Sequence, residues 1–377
     1  MATQRIIDFL ATRRPEGPCL VVDLDIVREN FRRLTGAFPA TGIYYAVKAN
    51  PAPEILELLA RLGSSFDVAS TAEIDMALAA GASPDRISFG NTIKKERDIA
   101  RAYQLGIRLF AVDSVEEVEK VARQAPGARV FCRLLTDGAG AEWPLSRKFG
   151  CDSPMAVRVL KHAHALGLVA HGLSFHVGSQ QANTHAWDAA IRDAADIFRT
   201  LREADINPTL LNLGGGLPAR YLKDVPTVKA YADAIRTSIL RHFGNRLPQT
   251  IIEPGRGMVG DAGVIKTEVV LISRKSADDR QRWVYLDIGK FGGLAETMDE
   301  AIRYPITTPR DGGETAPCVL AGPTCDSADV LYEKNPYPLP LSLEIGDELL
   351  IEATGAYTST YSSVAFNGFA PLPTYVI

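Results

Sequence analysis

The chain has 377 residues, 46% hydrophobic and 23% charged, a globular balance and, at roughly 150 residues per domain, a length for two or three domains. Lys plus Arg number 41 against 45 Asp plus Glu, a net charge of −4, which does not suit coating nucleic acid or an anionic membrane. Five cysteines (Cys19, Cys132, Cys151, Cys318, Cys325) are scattered without a C-x-x-C pair, which argues against a disulfide scaffold or structural zinc and points to a reducing cytoplasm.

Along the chain, the opening MATQRIIDFLATRRPEG is interrupted by Arg5, Asp8, Arg13 and Arg14 and does not read as a secretory signal. CLVVDLD (19–25) is strand-like. Then a rhythm begins. Short β-branched or aromatic runs alternate with helical patterns: YYAVK (44–48), FDVAS (66–70), RISFG (86–90), RLFAVD (108–113), RVFCRL (129–134), GLSFHVG (172–178), LLNLGGG (210–216) and IIEPGR (251–256). Between them, Ile55, Leu58, Leu59 and Leu62 recur at i, i+3, i+4, i+7, as do Ile191, Ala194, Ala195 and Phe198, so amphipathic helices cover the strands. Eight strand–helix units in about 215 residues predict an α/β fold, a (β/α)8 barrel over 24–262; a doubly wound sheet is the alternative. The stretch from Lys161 to Asp188 lacks Asp, Glu, Lys and Arg between its ends, yet carries five histidines and cannot span a bilayer.

After Met258 the pattern changes to VIKTEVVLIS, RWVYLDIG, APCVLAGP and DELLIEATGAY, separated by turn signals. These predict a mostly antiparallel β-domain, a β-barrel or sandwich, formed by 1–23 and 263–377 around the inserted barrel.

In barrels of this kind chemistry collects at the carboxyl ends of the strands. Those ends carry Lys48, Asp67 with Ser70, Asn91, Asp113, Arg133, His176, Gly214–Gly216, and Glu253 with Arg256. Lys48, flanked by Ala and Val, suits a Schiff-base lysine made nucleophilic by desolvation; a lysine reaching solvent from a strand end fits equally. Gly215 and Gly216 let backbone amides approach a phosphate, without the spacing of a dinucleotide or nucleoside-triphosphate loop. Arg256 is a bidentate phosphate donor, and Glu253 could hold a protonated heterocyclic nitrogen or simply pair with Arg256. His176 is the histidine assigned to a strand; His162 and His164 diverge on a helix, so no metal site is expected. Cys325, beside Asp326 and Asp329, suits a proton donor better than a nucleophile. Lysine, phosphate cradle, arginine and heterocycle-binding glutamate together name one cofactor, pyridoxal 5′-phosphate.

The ordered motifs YAVKAN, FDVAS-x-x-E, FCRL, LSFHVGS, LGGG, EPGR, GPTCDSAD and GAYTST…FNGF closely resemble those of the barrel-fold, alanine-racemase-like pyridoxal-phosphate decarboxylases. The resemblance implies that Lys48 carries the cofactor, His176 stacks on its ring and Glu253 bonds the ring nitrogen. Ser179, Gly215, Gly216, Arg256 and Tyr357 would hold the phosphate side, with Asp67, Glu73 and Arg133 as polar support. It also implies a homodimer with shared sites, in which Cys325 and Asp326 come from the partner and Cys325 protonates the substrate carbon. The substrate implied is a basic amino acid, L-ornithine giving putrescine, with lysine as the alternative. Asp299, or Glu300 if the match slips by one, would hold its distal amine. A racemase of this fold carries arginine where Glu253 stands, and a diaminopimelate decarboxylase carries Cys-Glu-Ser-Gly-Asp where this chain has Cys325-Asp326-Ser327-Ala328-Asp329. An inactive regulatory relative is expected to have lost Lys48 or Cys325.

Overall fold

The structure, a computed structural model, describes residues 2–143 and 147–377. The chain divides into two compact units, one of residues 28–218 and 225–257, the other of residues 1–27, 219–224 and 258–377.

The first unit is a closed barrel. Its strands are β1 (Thr41–Ala46), β2 (Ser65–Val68), β3 (Ile87–Phe89), β4 (Leu109–Val112), β5 (Arg129–Arg133), β6 (Val169–Ser174), β7 (Leu210–Asn212) and β8 (Gln249–Ile252). Each pairs in parallel with its sequence neighbour, and β8 closes on β1. The doubly wound alternative is therefore excluded. Inside, Leu109, Ala111, Phe131, Leu210 and Ile251 pack with Tyr44, filling the barrel as a core rather than leaving a pore. Gly172 in β6 is required by this packing, because a Cβ there would stand 1.9 Å from the Leu210 carbonyl oxygen. Local chemistry sets the helix starts. Ser70 caps Thr71–Ala79 by accepting from Glu73 N–H, and Ser114 and Asp152 cap Val115–Gln124 and Ser153–Ala165 in the same way.

The second unit is an eight-stranded, mostly antiparallel sheet. Cys19–Val22 runs antiparallel to Gly263–Ser273 and parallel to the C-terminal Thr374–Val376, so both ends of the chain enter this sheet. The helix Gln4–Arg13 precedes the first strand, capped by Thr3; the sequence reading did not include it. Nor did it include Val330–Pro340, which pairs antiparallel with Thr315–Ala321. Among the described residues no helix is long and apolar enough to cross a membrane.

Candidate active site

Five barrel strands deliver ionisable side chains to one place. β1 stops at Ala46, and the 3-10 turn Val47–Ala49 carries Lys48. The Lys48 Nζ lies 3.3 Å from Oδ2 of Asp67, in β2. The Lys48 side chain is 50% exposed, so the desolvation expected from its apolar neighbours is not what equips it. The strand ends two residues earlier, and the turn lifts the side chain out of the apolar layer. Asp67 is buried, which raises its carboxyl above the usual range against the opposing pull of Lys48 and then Arg133. Among the described residues its Oδ1 has no hydrogen-bond partner, and Gly90 makes room for it, since a Cβ there would meet that oxygen at 1.9 Å.

Glu253 follows β8, and Nδ2 of Asn212, the last residue of β7, donates to its Oε1 at 2.5 Å. Burial, then the negative charge of Asp67, pushes the Glu253 carboxyl up to about 7, while Asn212, Lys48 and Arg133 pull it down. His176 lies two residues beyond the end of β6, not within a strand as the sequence suggested; His171 is the histidine inside that strand. The His176 Nδ1 accepts from Gly178 N–H at 2.9 Å, which leaves the proton on Nε2. Burial, with the positive charges of Arg133 and Lys48, pushes its pKa down to about 3. The imidazole is neutral at physiological pH, a flat uncharged face.

The glycine run serves two purposes. Gly214 (φ +67°) would place a Cβ 2.0 Å from the Phe175 carbonyl oxygen, and Gly216 (φ +108°) would place one 2.7 Å from that of Gly178, so close backbone approach demands glycine at both. Among the described residues, the amides of Gly215 and Gly216 donate to no backbone acceptor. Arg256, buried, directs Nε and Nη2 onto Ser179 Oγ at 3.2 and 3.1 Å. Other strand-end residues are structural. Asp113 accepts from Gly150 N–H at 2.9 Å, and Asn91 Nδ2 donates to the Ala69 carbonyl at 3.4 Å. Glu73 reaches back to Ala69 N–H at 2.6 Å, completing the cap of its own helix.

In the sheet unit, Cys325 is exposed on a turn built around buried Asp329. That carboxylate accepts from Thr324 N–H and Oγ1 and from Lys290 N–H. Asp326 Oδ1 accepts from Ala328 N–H at 2.8 Å and shapes the same turn. Asp299 has an 86% exposed side chain and faces Lys334 Nζ at 3.3 Å. Glu300 is instead consumed by the fold. It accepts from the amides of Glu333, Lys334 and Asn335, from Asn335 Nδ2, and from Arg303. Tyr357 sits at φ +56° with its ring 5.7 Å from that of Tyr361.

Sequence reasoning passed over Asn212, a fully buried asparagine two residues before the glycine run, whose role only its folded-state partners reveal. Its Oδ1 also accepts from Gly214 N–H at 2.9 Å, so one side chain fixes both the glycine turn and Glu253.

Pyridoxal phosphate brings an aldehyde, a ring nitrogen that is basic when unprotonated, and a phosphate. The barrel end offers an amine at Lys48, an orphaned buried oxygen on Asp67, a half-buried carboxyl at Glu253, a neutral imidazole, backbone amides at Gly215 and Gly216, and the Arg256–Ser179 pair. The residues fit the group.

Comparisons with known proteins agree with that fit. Residues 24–260 match the family model described as pyridoxal-dependent decarboxylase, pyridoxal binding domain. The chain is 36% identical to a lysine/ornithine decarboxylase of Selenomonas ruminantium over 99% of this chain and 93% of that one. It superposes on SrLDC in complex with PLP and cadaverine with TM-score 0.88 at 35% identity, covering 100% of this chain and 94% of the other. The arginine decarboxylase of Paramecium bursaria Chlorella virus, bound to agmatine, gives 0.89 at 28% identity over 99% of each chain. The chain belongs to the pyridoxal-dependent decarboxylases, and pyridoxal phosphate is its cofactor.

Proposed function

We propose that this enzyme decarboxylates a basic α-amino acid, L-ornithine to putrescine in the first place and lysine to cadaverine as the second substrate, in the cytoplasm. The observation that carries the decarboxylase reading is the half-buried Glu253 held by Asn212. When bound, pyridoxal phosphate supplies a sink for the electron pair left when carbon dioxide departs, and that sink is strongest with its ring nitrogen protonated. An ionised Glu253 carboxylate would favour the protonated form, and pairing with that nitrogen would oppose the burial that raises Glu253 to about 7 in the chain alone. An arginine there would do the reverse, which argues against racemisation.

Lys48 supplies the amine that tethers the cofactor, with Asp67 alongside to accept hydrogen bonds from it. Neutral His176 would offer the ring a flat face without adding charge. Gly215, Gly216, Ser179 and Arg256, with Tyr357, hold the phosphate. Arg133 balances the charge of Asp67 and Glu253. Cys325 protonates the substrate carbon, supplied by Cys325 of the partner subunit in a homodimer, together with Asp326. An exposed thiol hydrogen-bonded to Asn367, in a segment whose Val364 and Phe369 side chains are also exposed, supports a surface covered by a second copy. Asp299, turned to solvent, receives the distal ammonium.

Carbon dioxide release from ornithine, lysine, arginine and diaminopimelate, measured side by side, tests the substrate. Ornithine is expected to give the highest kcat/KM, and a higher value for arginine or diaminopimelate rejects the assignment. Mixing Lys48→Ala with Cys325→Ala subunits is expected to restore activity, and subunit exchange without recovery rejects the shared site.

A further inference from the structure

The Cys325 thiol does not stand alone. Its backbone N–H donates to Asn367 Oδ1 at 3.0 Å, and Asn367 Nδ2 donates to Cys325 Sγ at 3.2 Å. One amide therefore holds both the main chain and the sulfur of the same residue. Nothing in the local sequence requires this, since the two residues are 42 positions apart.

A single scaffold holds the two partners. Asp329 fixes the Cys325 turn through Thr324 and reaches across to Lys290 N–H. The adjacent Phe291 ring packs against Phe366 with centroids 4.9 Å apart, and its carbonyl accepts from Ser363 N–H at 2.8 Å. Phe366 precedes Asn367. The ring of contacts from 325 through 329, 291 and 366 returns to 325. Gly289 and Gly322 line the buried carboxylate so closely that a Cβ on either would fall 2.1 or 2.3 Å from it. The loop also carries backbone strain, with Ala365 at φ +60° and Asn367 at φ +51°. For alanine that conformation costs about 1 kcal/mol or more, so the surrounding contacts impose it.

We propose that Asn367 is a positioning residue for Cys325: its N–H engages a sulfur lone pair, turns the S–H proton outward, and stabilises the thiolate left when that proton is given up. The proposal rests on the reading of Cys325 as the acid. In the step itself the S–H bond breaks, a C–H bond forms at the substrate α-carbon, and the electron pair stays on sulfur against the Asn367 amide. Water returns the proton before the next turnover. A hydrogen bond that is stronger to the anion than to the neutral thiol favours this transfer.

The test uses Asn367→Asp in the holoenzyme, which keeps an oxygen for the Cys325 N–H but removes the donor to sulfur; Asn367→Ala removes both. The first readout is the alkylation rate of Cys325 by iodoacetamide at fixed pH, assigned by peptide mass. The second is the fraction of turnover ending in amine rather than in the aldehyde that follows protonation at the wrong carbon. In Asn367→Asp, alkylation is expected to slow about tenfold, the value of one hydrogen bond to a charged group, and the amine fraction to fall, with the oligomeric state unchanged. Alkylation at the wild-type rate in Asn367→Asp overturns the proposal. Slowed alkylation with an undiminished amine fraction upholds the pair and overturns Cys325 as the acid.

Discussion

Asn212 and Glu253 stand at the ends of neighbouring strands β7 and β8, joined by a 2.5 Å hydrogen bond from Nδ2 to Oε1. It is a neutral donor against a half-buried acid, the kind of partner that orients a carboxyl without neutralising it. Because burial and Asp67 raise Glu253 to about 7 from an ordinary value of 4.5, the folded chain without cofactor binds a proton there that the unfolded chain releases. Stability of the cofactor-free chain therefore carries a penalty that is absent below about pH 4.5, grows as pH rises, and is complete above 7. Glu253→Gln removes it. The cofactor-free variant is expected to exceed wild type by on the order of 3 kcal/mol at pH 8, with the gap closing by pH 5. Thermal melts at both pH values check this, and an equal gap at both contradicts the assignment. With cofactor and substrate present, the same variant is expected to lose about 100-fold or more in kcat.

Removing the other partner acts oppositely. Asn212→Ala leaves Glu253 Oε1 and Gly214 N–H without the side chain that satisfies both. A cost of about 1–3 kcal/mol is expected, together with weaker pyridoxal phosphate binding, because the Gly214–Gly216 turn and Glu253 lose their common anchor. Denaturant unfolding and a cofactor titration measure the two effects; full retention of both would falsify this account.

The phosphate assignment separates cleanly from the rest of the cofactor. Arg256 offers two nitrogens to Ser179 Oγ, a planar geometry that lysine cannot copy. Arg256→Lys is expected to weaken pyridoxal phosphate binding about 10- to 100-fold, one to two charge-assisted hydrogen bonds, while leaving the affinity for dephosphorylated pyridoxal unchanged. Parallel titrations with the two compounds decide it. An equal loss for both places Arg256 elsewhere.

The barrel was readable because buried parallel strands are short apolar runs between amphipathic helices, and all eight runs correspond to strands. Their ends were read too far along. Lys48 and His176 each lie two residues past a strand terminus, since polar residues that look like strand ends belong to the loops that follow. Val330–Pro340 was hidden by Pro336, Pro338 and Pro340, which normally demote a run; the strand tolerates them because it lies at the edge of its sheet. Asn212 and Asn367 were illegible for another reason. An uncharged amide has no signature until the fold brings its partner to it, from 41 and 42 residues away. Lys48, Glu253 and Arg256 were conspicuous because charge at the end of an apolar strand always needs explaining.

Behind β3, Lys94 is fully buried. Its Nζ donates to the carbonyls of Asn91 and Ala111 at 2.7 and 2.6 Å and lies 3.0 Å from Glu117. Burial pushes its pKa down to about 8, opposed by Glu117. Glu117→Gln strands that ammonium and is expected to cost about 3–5 kcal/mol. Adding Lys94→Met is expected to cost less than the sum of the two single changes, because the second removes the charge the first exposed. A double-mutant cycle in denaturant measures the coupling, and strict additivity would show that the pair does not interact.

Asp299 and Glu300 are adjacent acids with opposite fates, and that difference favours Asp299 for the proposed substrate contact. Glu300 accepts hydrogen bonds from three consecutive amides, from Asn335 Nδ2 and from Arg303, and against desolvation the Asn335 side chain and the three amides hold it below the usual carboxylate range. Glu300→Ala is therefore expected to lower Tm by several degrees through loss of a loop anchor, a cost of about 2 kcal/mol or more. Among the described residues Asp299 engages only an exposed pair with Lys334, 86% and 69% exposed at the side chains, and such pairs contribute less than about 1 kcal/mol. On the proposed function, a substrate ammonium would displace that lysine at little cost. Asp299→Ala is expected to leave Tm within about one degree while raising KM for ornithine and lysine about tenfold or more, with the smaller change in kcat. Should Asp299→Ala change neither KM, the distal amine is bound elsewhere, and the exposed acid has only its surface partner.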